Sequence, residues 1–144
     1  MHYHIVTKND KTGGFPLNYL YTLHCDLNAR YAAGGIDIKF YIDTISYIHS
    51  TTLYDMTNAE ESQINIYNTL KNCNVYLVND PAGACGYTYR PNTFRTPATR
   101  SAIYLKASYN NYECTKPGST TLTHEMGHWL DLPHTFSGWE NKKY

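Results

Sequence analysis

The chain has 144 residues, enough for one domain with a sizeable core. Apolar residues make up 42%, yet no stretch approaches the roughly 20 residues that a membrane-spanning helix needs. Only 17% of residues are charged, and twelve Lys/Arg balance twelve Asp/Glu, which argues against a nucleic-acid binder and against an electrostatic anchor on a membrane surface.

Met1-His2-Tyr3-His4-Ile5-Val6 lacks the basic start and long apolar region of a signal peptide. The chain is therefore expected to begin directly in folded material, either as a cytosolic protein or as a piece of something longer. Residues 2–7 read as a short strand, followed by a polar turn from Lys8 to Gly14. Pro16 suits the first position of a helix along which Leu17, Leu20, Tyr21, Leu27 and Tyr31 recur, and Gly34-Gly35 stops it. Ile36, Ile38, Phe40 and Ile42 alternate with Asp37, Lys39, Tyr41 and Asp43, the clearest strand pattern in the chain, and a further strand is expected near 45–49. Asn58 with Glu61 resembles a capping box that opens a helix to about Lys71. Cys73–Val78, 84–90 and 101–107 read as strands. After Pro117-Gly118 a final helix starts, capped by Ser119 or Thr120.

This order predicts a single domain over 1–144 of the α+β class, a mixed α/β sheet with two backing helices and the last helix crossing beneath. The abundant aromatics, 15% of residues, exclude disorder. Cys25, Cys73, Cys85 and Cys114 form no CxxC pair, so a cysteine zinc site is not expected; an even count permits one or two disulfides, with the pairing open.

The chemistry is carried by Thr123-His124-Glu125-Met126-Gly127-His128-Trp129-Leu130-Asp131-Leu132-Pro133-His134. On a helix His124 and His128 are one turn apart on one face, so both imidazoles can reach one metal ion. Leu122, Met126 and Trp129 take a roughly opposite face, which makes the helix apolar toward the sheet and imidazole-bearing toward a cleft. Glu125 sits about 100° round from His124, beside the metal and able to take a proton from water. Leu132-Pro133 ends the helix, and a chain turning back there brings His134 to the third position. Three histidines with an open fourth position describe a catalytic zinc site. Asp131, at i+7 from His124, competes with His134 as third ligand, but Pro133 favours the histidine.

The pattern resembles that of the metzincin metalloproteases, and His124-Glu125-Met126-Gly127-His128-Trp129-Leu130 followed by His134-Thr135-Phe136 looks like their pappalysin (M43) branch. Softer matches upstream run in the same order: His4-Ile5-Val6, Gly13-Gly14, Leu27-Asn28-Ala29-Arg30-Tyr31 before Gly34-Gly35-Ile36, and Cys85-Gly86-Tyr87-Thr88-Tyr89. The resemblance implies a zinc-dependent endopeptidase with Zn2+ on His124, His128 and His134 and Glu125 as general base. It also implies a secreted protein, and a peptide or protein substrate lying extended along an edge strand. Residues 84–90 are the candidate edge, since Arg90-Pro91 suits such a strand's end. Cys85 with Cys114 is the pair expected if one disulfide forms.

Two departures stand out. The family's usual Gly falls at Asp131, where positive φ is needed and Asp is one of the less costly replacements. The only methionines are Met1, Met56 and Met126, so none follows His134, whereas metzincins close the floor of the site with a later Met turn. The resemblance therefore implies an upper subdomain with its active-site helix and no lower subdomain. A non-catalytic zinc-binding module without a complete cleft is the competing expectation. Ligation through a downstream Glu140 is disfavoured by spacing. His2 and His4 share a strand face and are expected to be ordinary strand histidines rather than a second metal pair. His24 is expected in the core, His49 has no assigned role, and the tyrosines at 87, 89, 104, 109 and 112 fit sheet packing better than a cleft lining. No calcium loop is expected from Asp26, Asp37, Asp43 and Asp55.

Overall fold

The computed structural model describes residues 1–90, 102–107 and 112–134. In chain order these form β1 (His2–Thr7), α1 (Leu17–Ala33), β2 (Thr44–His49), α2 (Thr51–Tyr54), α3 (Glu61–Ile64), β3 (Asn74–Val78), β4 (Gly86–Thr88), β5 (Ala102–Lys106) and α4 (Thr121–Trp129). Single 3-10 turns flank α3 at Asn58–Glu60 and Asn65–Tyr67, and another spans Tyr112–Cys114.

The strands make one mixed sheet in the order β2-β1-β3-β5-β4. The first four run parallel, and β4 pairs antiparallel with β5 at the edge. Strand alternation divides the core into two layers. Tyr3, Ile5, Val75, Leu77, Ile103 and Leu105 face α1 and α4, where they meet Leu20, Leu23, Leu27, Leu122 and Met126. Val6, Ile48, Tyr76, Val78, Ala102 and Tyr104 face the other way, against Leu53, Tyr54, Met56 and Ile64. Being covered on both sides, β3 and β5 are almost wholly buried, which is why their sequences read as continuous apolar runs rather than alternations.

The structure corrects four expectations. The alternating segment 36–43 is not a strand, and the weaker candidate after it is, as β2. Phe40 and Ile42 do pack on the core, but Ile36 and Ile38 remain exposed, and the segment's polar groups are satisfied by α1 instead of by a neighbouring strand. Asn28 Oδ1 accepts from the Phe40 amide at 2.8 Å, and Asn28 Nδ2 donates to the Phe40 carbonyl at 3.1 Å. The chain terminus secures its far end: the Met1 ammonium donates to the Tyr41 carbonyl at 2.6 Å, and the Asp43 amide donates to the Met1 carbonyl at 2.8 Å.

Second, Pro16 is the N-cap of α1 and not its first helical residue; its ψ of 135° is extended, while its carbonyl accepts the Leu20 amide at 3.1 Å. Third, the capping box is Thr57 with Glu60, one residue before the expected Asn58 with Glu61. Fourth, the helix it opens stops at Tyr67 and is α-helical only over Glu61–Ile64. Asn65 and Asn68 turn their amides to the sheet, accepting from the Tyr104 hydroxyl at 2.6 Å and the Tyr76 hydroxyl at 2.8 Å, so these polar side chains compete with a longer helix. The short α2, capped by the Ser50 hydroxyl on the Leu53 amide, was not foreseen from periodicity.

Candidate metal centre

α4 is placed by α1 before it begins. The turn at Gly118, with φ of +80°, is gripped at both its polar groups: its amide donates to the Asp26 carboxylate at 2.8 Å, and its carbonyl accepts from the Arg30 guanidinium at 2.6 Å. Thr120 is the N-cap, its carbonyl accepting the His124 amide at 2.9 Å without a side-chain cap, while the Ser119 hydroxyl accepts the Thr121 amide at 3.3 Å. Leu122 and Met126 then bury themselves in the core with Trp129 packed beside them, which leaves His124 exposed and His128 half-exposed on the other side.

The helix ends in a Schellman arrangement. The Asp131 amide donates to the His128 carbonyl, and the Leu132 amide to the Gly127 carbonyl, each at 2.9 Å. Asp131 supplies the left-handed residue this reversal needs, with φ of +71°, as expected for the position where the family pattern has Gly. Pro133 cannot continue a helix, and His134 swings back over the preceding turn.

Three ring nitrogens converge there. His124 Nε2 and His128 Nε2 are 3.0 Å apart, His128 Nε2 and His134 Nε2 3.1 Å, and His134 Nε2 and His124 Nε2 3.2 Å. Zinc–nitrogen bonds of about 2.0–2.1 Å at tetrahedral angles place ligand atoms about 3.3 Å apart, so the triangle has the size that a tetrahedral Zn2+ ion needs. His128 Nδ1 lies 2.7 Å from the Leu132 carbonyl, which only accepts; Nδ1 therefore carries the proton and Nε2 presents its lone pair inward. Burial and the two neighbouring imidazoles lower the pKa of His124, favouring the neutral form that ligates. Among the described residues this is the one group of three or more His, Cys, Asp or Glu side chains with metal-ligand spacing, and Asp131 is outside it.

Glu125, next to His124 in the helix, is buried, with 6% of its surface exposed. Burial pushes its pKa up to about 7, against the opposing effect of a hydrogen bond from the Thr88 amide. The pairing of β4 leaves the Thr88 amide without a bond to β5. The Cys85 carbonyl accepts from the Lys106 amide, so residues 85 and 87 face β5 while 86 and 88 face the open edge. β4 and α4 approach very closely: a Cβ at Gly86 would lie 2.9 Å from both the Leu105 and Thr121 side chains, so only glycine fits. A disulfide between Cys85 and Cys114, with Cα atoms 5.1 Å apart, ties the start of this strand to the segment leading into α4. Beside the histidines, a pocket of about 330 Å³ is walled by Arg30, Tyr31, Ile36, Leu132 and Pro133.

The remaining candidates are structural. His2 and His4 are buried and stacked at 3.9 Å between ring centroids, bonded to Ser46, Thr69 and Asn74. His24 is buried against the Tyr3 hydroxyl and the Phe40 carbonyl, and His49 bonds Thr7. Tyr104 and Tyr87 stack across the sheet at 4.7 Å. Cys73 is buried, which pushes its thiol up to about 12, and Cys25 is exposed; both are free. Tyr109, the Tyr112 side chain, Thr135-Phe136 and Glu140 lie outside the described residues. Sequence reasoning missed the Thr88 amide, the Leu132 carbonyl and the Asp26–Arg30 grip on Gly118, because main-chain partners leave no mark in residue type.

The profile of the peptidase M43 family, described as pregnancy-associated plasma protein-A, matches residues 56–143. Among curated proteins, an extracellular metalloprotease of Sordaria macrospora is 29% identical over 96% of this chain and 50% of its own length. Another, of Colletotrichum graminicola, is 30% identical over 97% of this chain and 52% of its own. The chain thus spans about half the length of these relatives. Among solved structures, one described as a chaperone–substrate complex superposes with a TM-score of 0.56 at 17% identity, covering 95% of this chain and 24% of the other, which is a likeness of fold alone. No described helix is long and apolar enough to cross a membrane. With the motif, the convergent histidines and the profile match in agreement, the chain belongs to the peptidase M43 family of metalloproteases.

Proposed function

We propose that the chain is the zinc-binding part of a secreted endopeptidase, with Zn2+ held by His124, His128 and His134 and Glu125 as general base. The observation that carries this is the triangle of Nε2 atoms 3.0–3.2 Å on a side, sized for one tetrahedral ion. Zinc in this position supplies Lewis acidity to a water molecule and to the scissile carbonyl. Glu125 takes a proton from water on its carboxylate and delivers it to the leaving amine. An extended peptide or protein substrate pairs with the open edge of β4, which among the described residues has no neighbouring strand on that side. Secretion agrees with the names of the relatives and with the disulfide. Nucleic acid and membrane are not partners in this reading, given the balanced charge.

Zinc content of the purified, desalted chain, measured beside His134→Ala, tests the ligand set. About one zinc per chain, reduced in the variant, is expected. No zinc in the wild type overturns the site, and equal zinc in both removes His134 from it. Cleavage of an unstructured protein substrate then tests catalysis: Glu125→Gln is expected to keep its zinc and lose at least about a hundredfold in turnover. Zinc binding with no cleavage by the wild-type chain would leave a zinc-binding module in place of a peptidase.

A further inference from the structure

The two flanks of α4 differ in what they face. Thr121 meets β4, where a Cβ on Gly86 would lie 2.9 Å from its side chain, whereas Thr123 and Gly127 wall the pocket on the α1 side. At about 100° per residue, His124 and His128 lie between these flanks, so a peptide paired with β4 reaches the pocket by crossing them. The pocket holds about 330 Å³, the small end for ligand sites, which suits one residue rather than a long segment. Its walls include the apolar surfaces of Tyr31, Ile36, Leu132 and Pro133. Among the described residues that line it, Arg30 alone carries a permanent charge and none is an Asp or Glu. Nor is that charge neutralised elsewhere: among the described residues the guanidinium is in no ion pair, and its Nη2 donates to the neutral Gly118 carbonyl at 2.6 Å. The Asp26 carboxylate accepts the Gly118 amide instead. Arg30 Nε is buried and has no hydrogen-bond partner among the described residues. A half-buried guanidinium with unused charge in an apolar-walled pocket favours an anion, and the planar carboxylate matches its fork of donors.

We infer that the pocket is a subsite for the carboxy-terminal residue of a peptide, its α-carboxylate on Arg30 and an apolar side chain against Tyr31, Ile36, Leu132 and Pro133. The inference deepens the peptidase reading and rests on it for its meaning, since peptides that end just beyond the histidines are then preferred ligands of the cleft. The contact itself needs no zinc, because Arg30 and the apolar wall belong to the chain. Asp and Glu side chains also carry carboxylates, but without an apolar side chain beside the charge.

NMR titration of the full chain, with and without added zinc, tests it through the Thr123 and Gly127 amides. N-acetyl-leucine is expected to bind at least about tenfold more tightly than N-acetyl-leucine amide, which lacks the charge. The α-amide of N-acetyl-glutamate, with its carboxylate on the side chain, is expected to bind no better than the leucine amide. Arg30→Gln is expected to abolish the preference for the acid. Because Arg30 also holds Gly118, Asp26→Asn is the control: it weakens the same turn, keeps the guanidinium and is expected to keep the preference. Equal binding of acid and amide by the wild type overturns the inference, as does a preference that survives Arg30→Gln. A preference lost equally in Asp26→Asn also sinks it, because displacement of α4 then explains the loss. Tighter binding of the glutamate probe would replace the peptide terminus by an acidic side chain. A preference seen only with zinc puts the carboxylate on the metal and removes Arg30 from the account. Failure to take up zinc counts against the peptidase reading alone, since the zinc-free titration judges Arg30 independently.

Discussion

At Asp131 one backbone angle decides whether the third histidine reaches the other two. A φ of +71° reverses the chain so that the Leu132 carbonyl meets His128 Nδ1 and His134 arrives on the exposed side of α4. β-Branched side chains are the least tolerant of that conformation. Asp131→Val is therefore expected to lose more unfolding free energy than Asp131→Gly, by about 1–2 kcal/mol, and more zinc. Equilibrium urea unfolding and zinc content of the two variants check this, and equal losses would show that the side chain of Asp131 matters more than its backbone. The need for positive φ here was legible through the family resemblance, whose pattern has Gly at this position. The ties that complete the turn run through carbonyls and amides and were not.

At the scale of elements, β1 shows what buried strands do to titrating groups. His2 and His4 lie side by side on the inner strand, and neutral His4 uses Nε2 as donor to Asn74 Oδ1 at 3.0 Å and Nδ1 as acceptor from the Ser46 hydroxyl at 2.9 Å. Burial lowers the pKa of His4 to about 4, and burial likewise lowers His2 and His24. Charges near His2 are Asp43, which opposes the shift, and the Met1 ammonium, which adds to it. In the unfolded chain His4 titrates near 6.5, so between about 6.5 and 4 the unfolded state binds more protons. The His4 contribution to stability is full above that window and is lost as pH falls through it. Urea midpoints measured at pH 7.5, 5.5 and 4.5 are expected to fall, and a His4→Gln variant should show a shallower fall; identical slopes would put the acid sensitivity elsewhere. This strand was readable from its sequence, as were β3, β4 and β5; in β3 and β5 near-continuous burial leaves near-continuous apolar runs. The segment 36–43 misled because alternation reports one-sided burial and says nothing of where the backbone hydrogen bonds go. Its partners are Asn28 and the chain terminus, far away in sequence.

For the whole molecule, the nine residues of α4 carry the candidate site on the rim of a sheet they did not help to build. Three ties hold the helix there: the core side chains Leu122 and Met126, the Asp26–Arg30 grip on Gly118, and the disulfide that joins β4 to the segment before the helix. The disulfide closes a sequence separation of 29 residues, which in the chain-entropy account stabilises by about 3–4 kcal/mol. That loop contains both β4 and β5, so opening it loosens the edge strand along with the approach to α4. Reduction, or Cys85→Ser with Cys114→Ser, is thus expected to lower the urea midpoint and to weaken zinc retention together. A Cys25→Ser background keeps the exposed free thiol from exchanging with the bridge. Full zinc retention in a destabilised double variant would mean that the core side chains and the α1 grip alone hold the three histidines, leaving the disulfide to the strand.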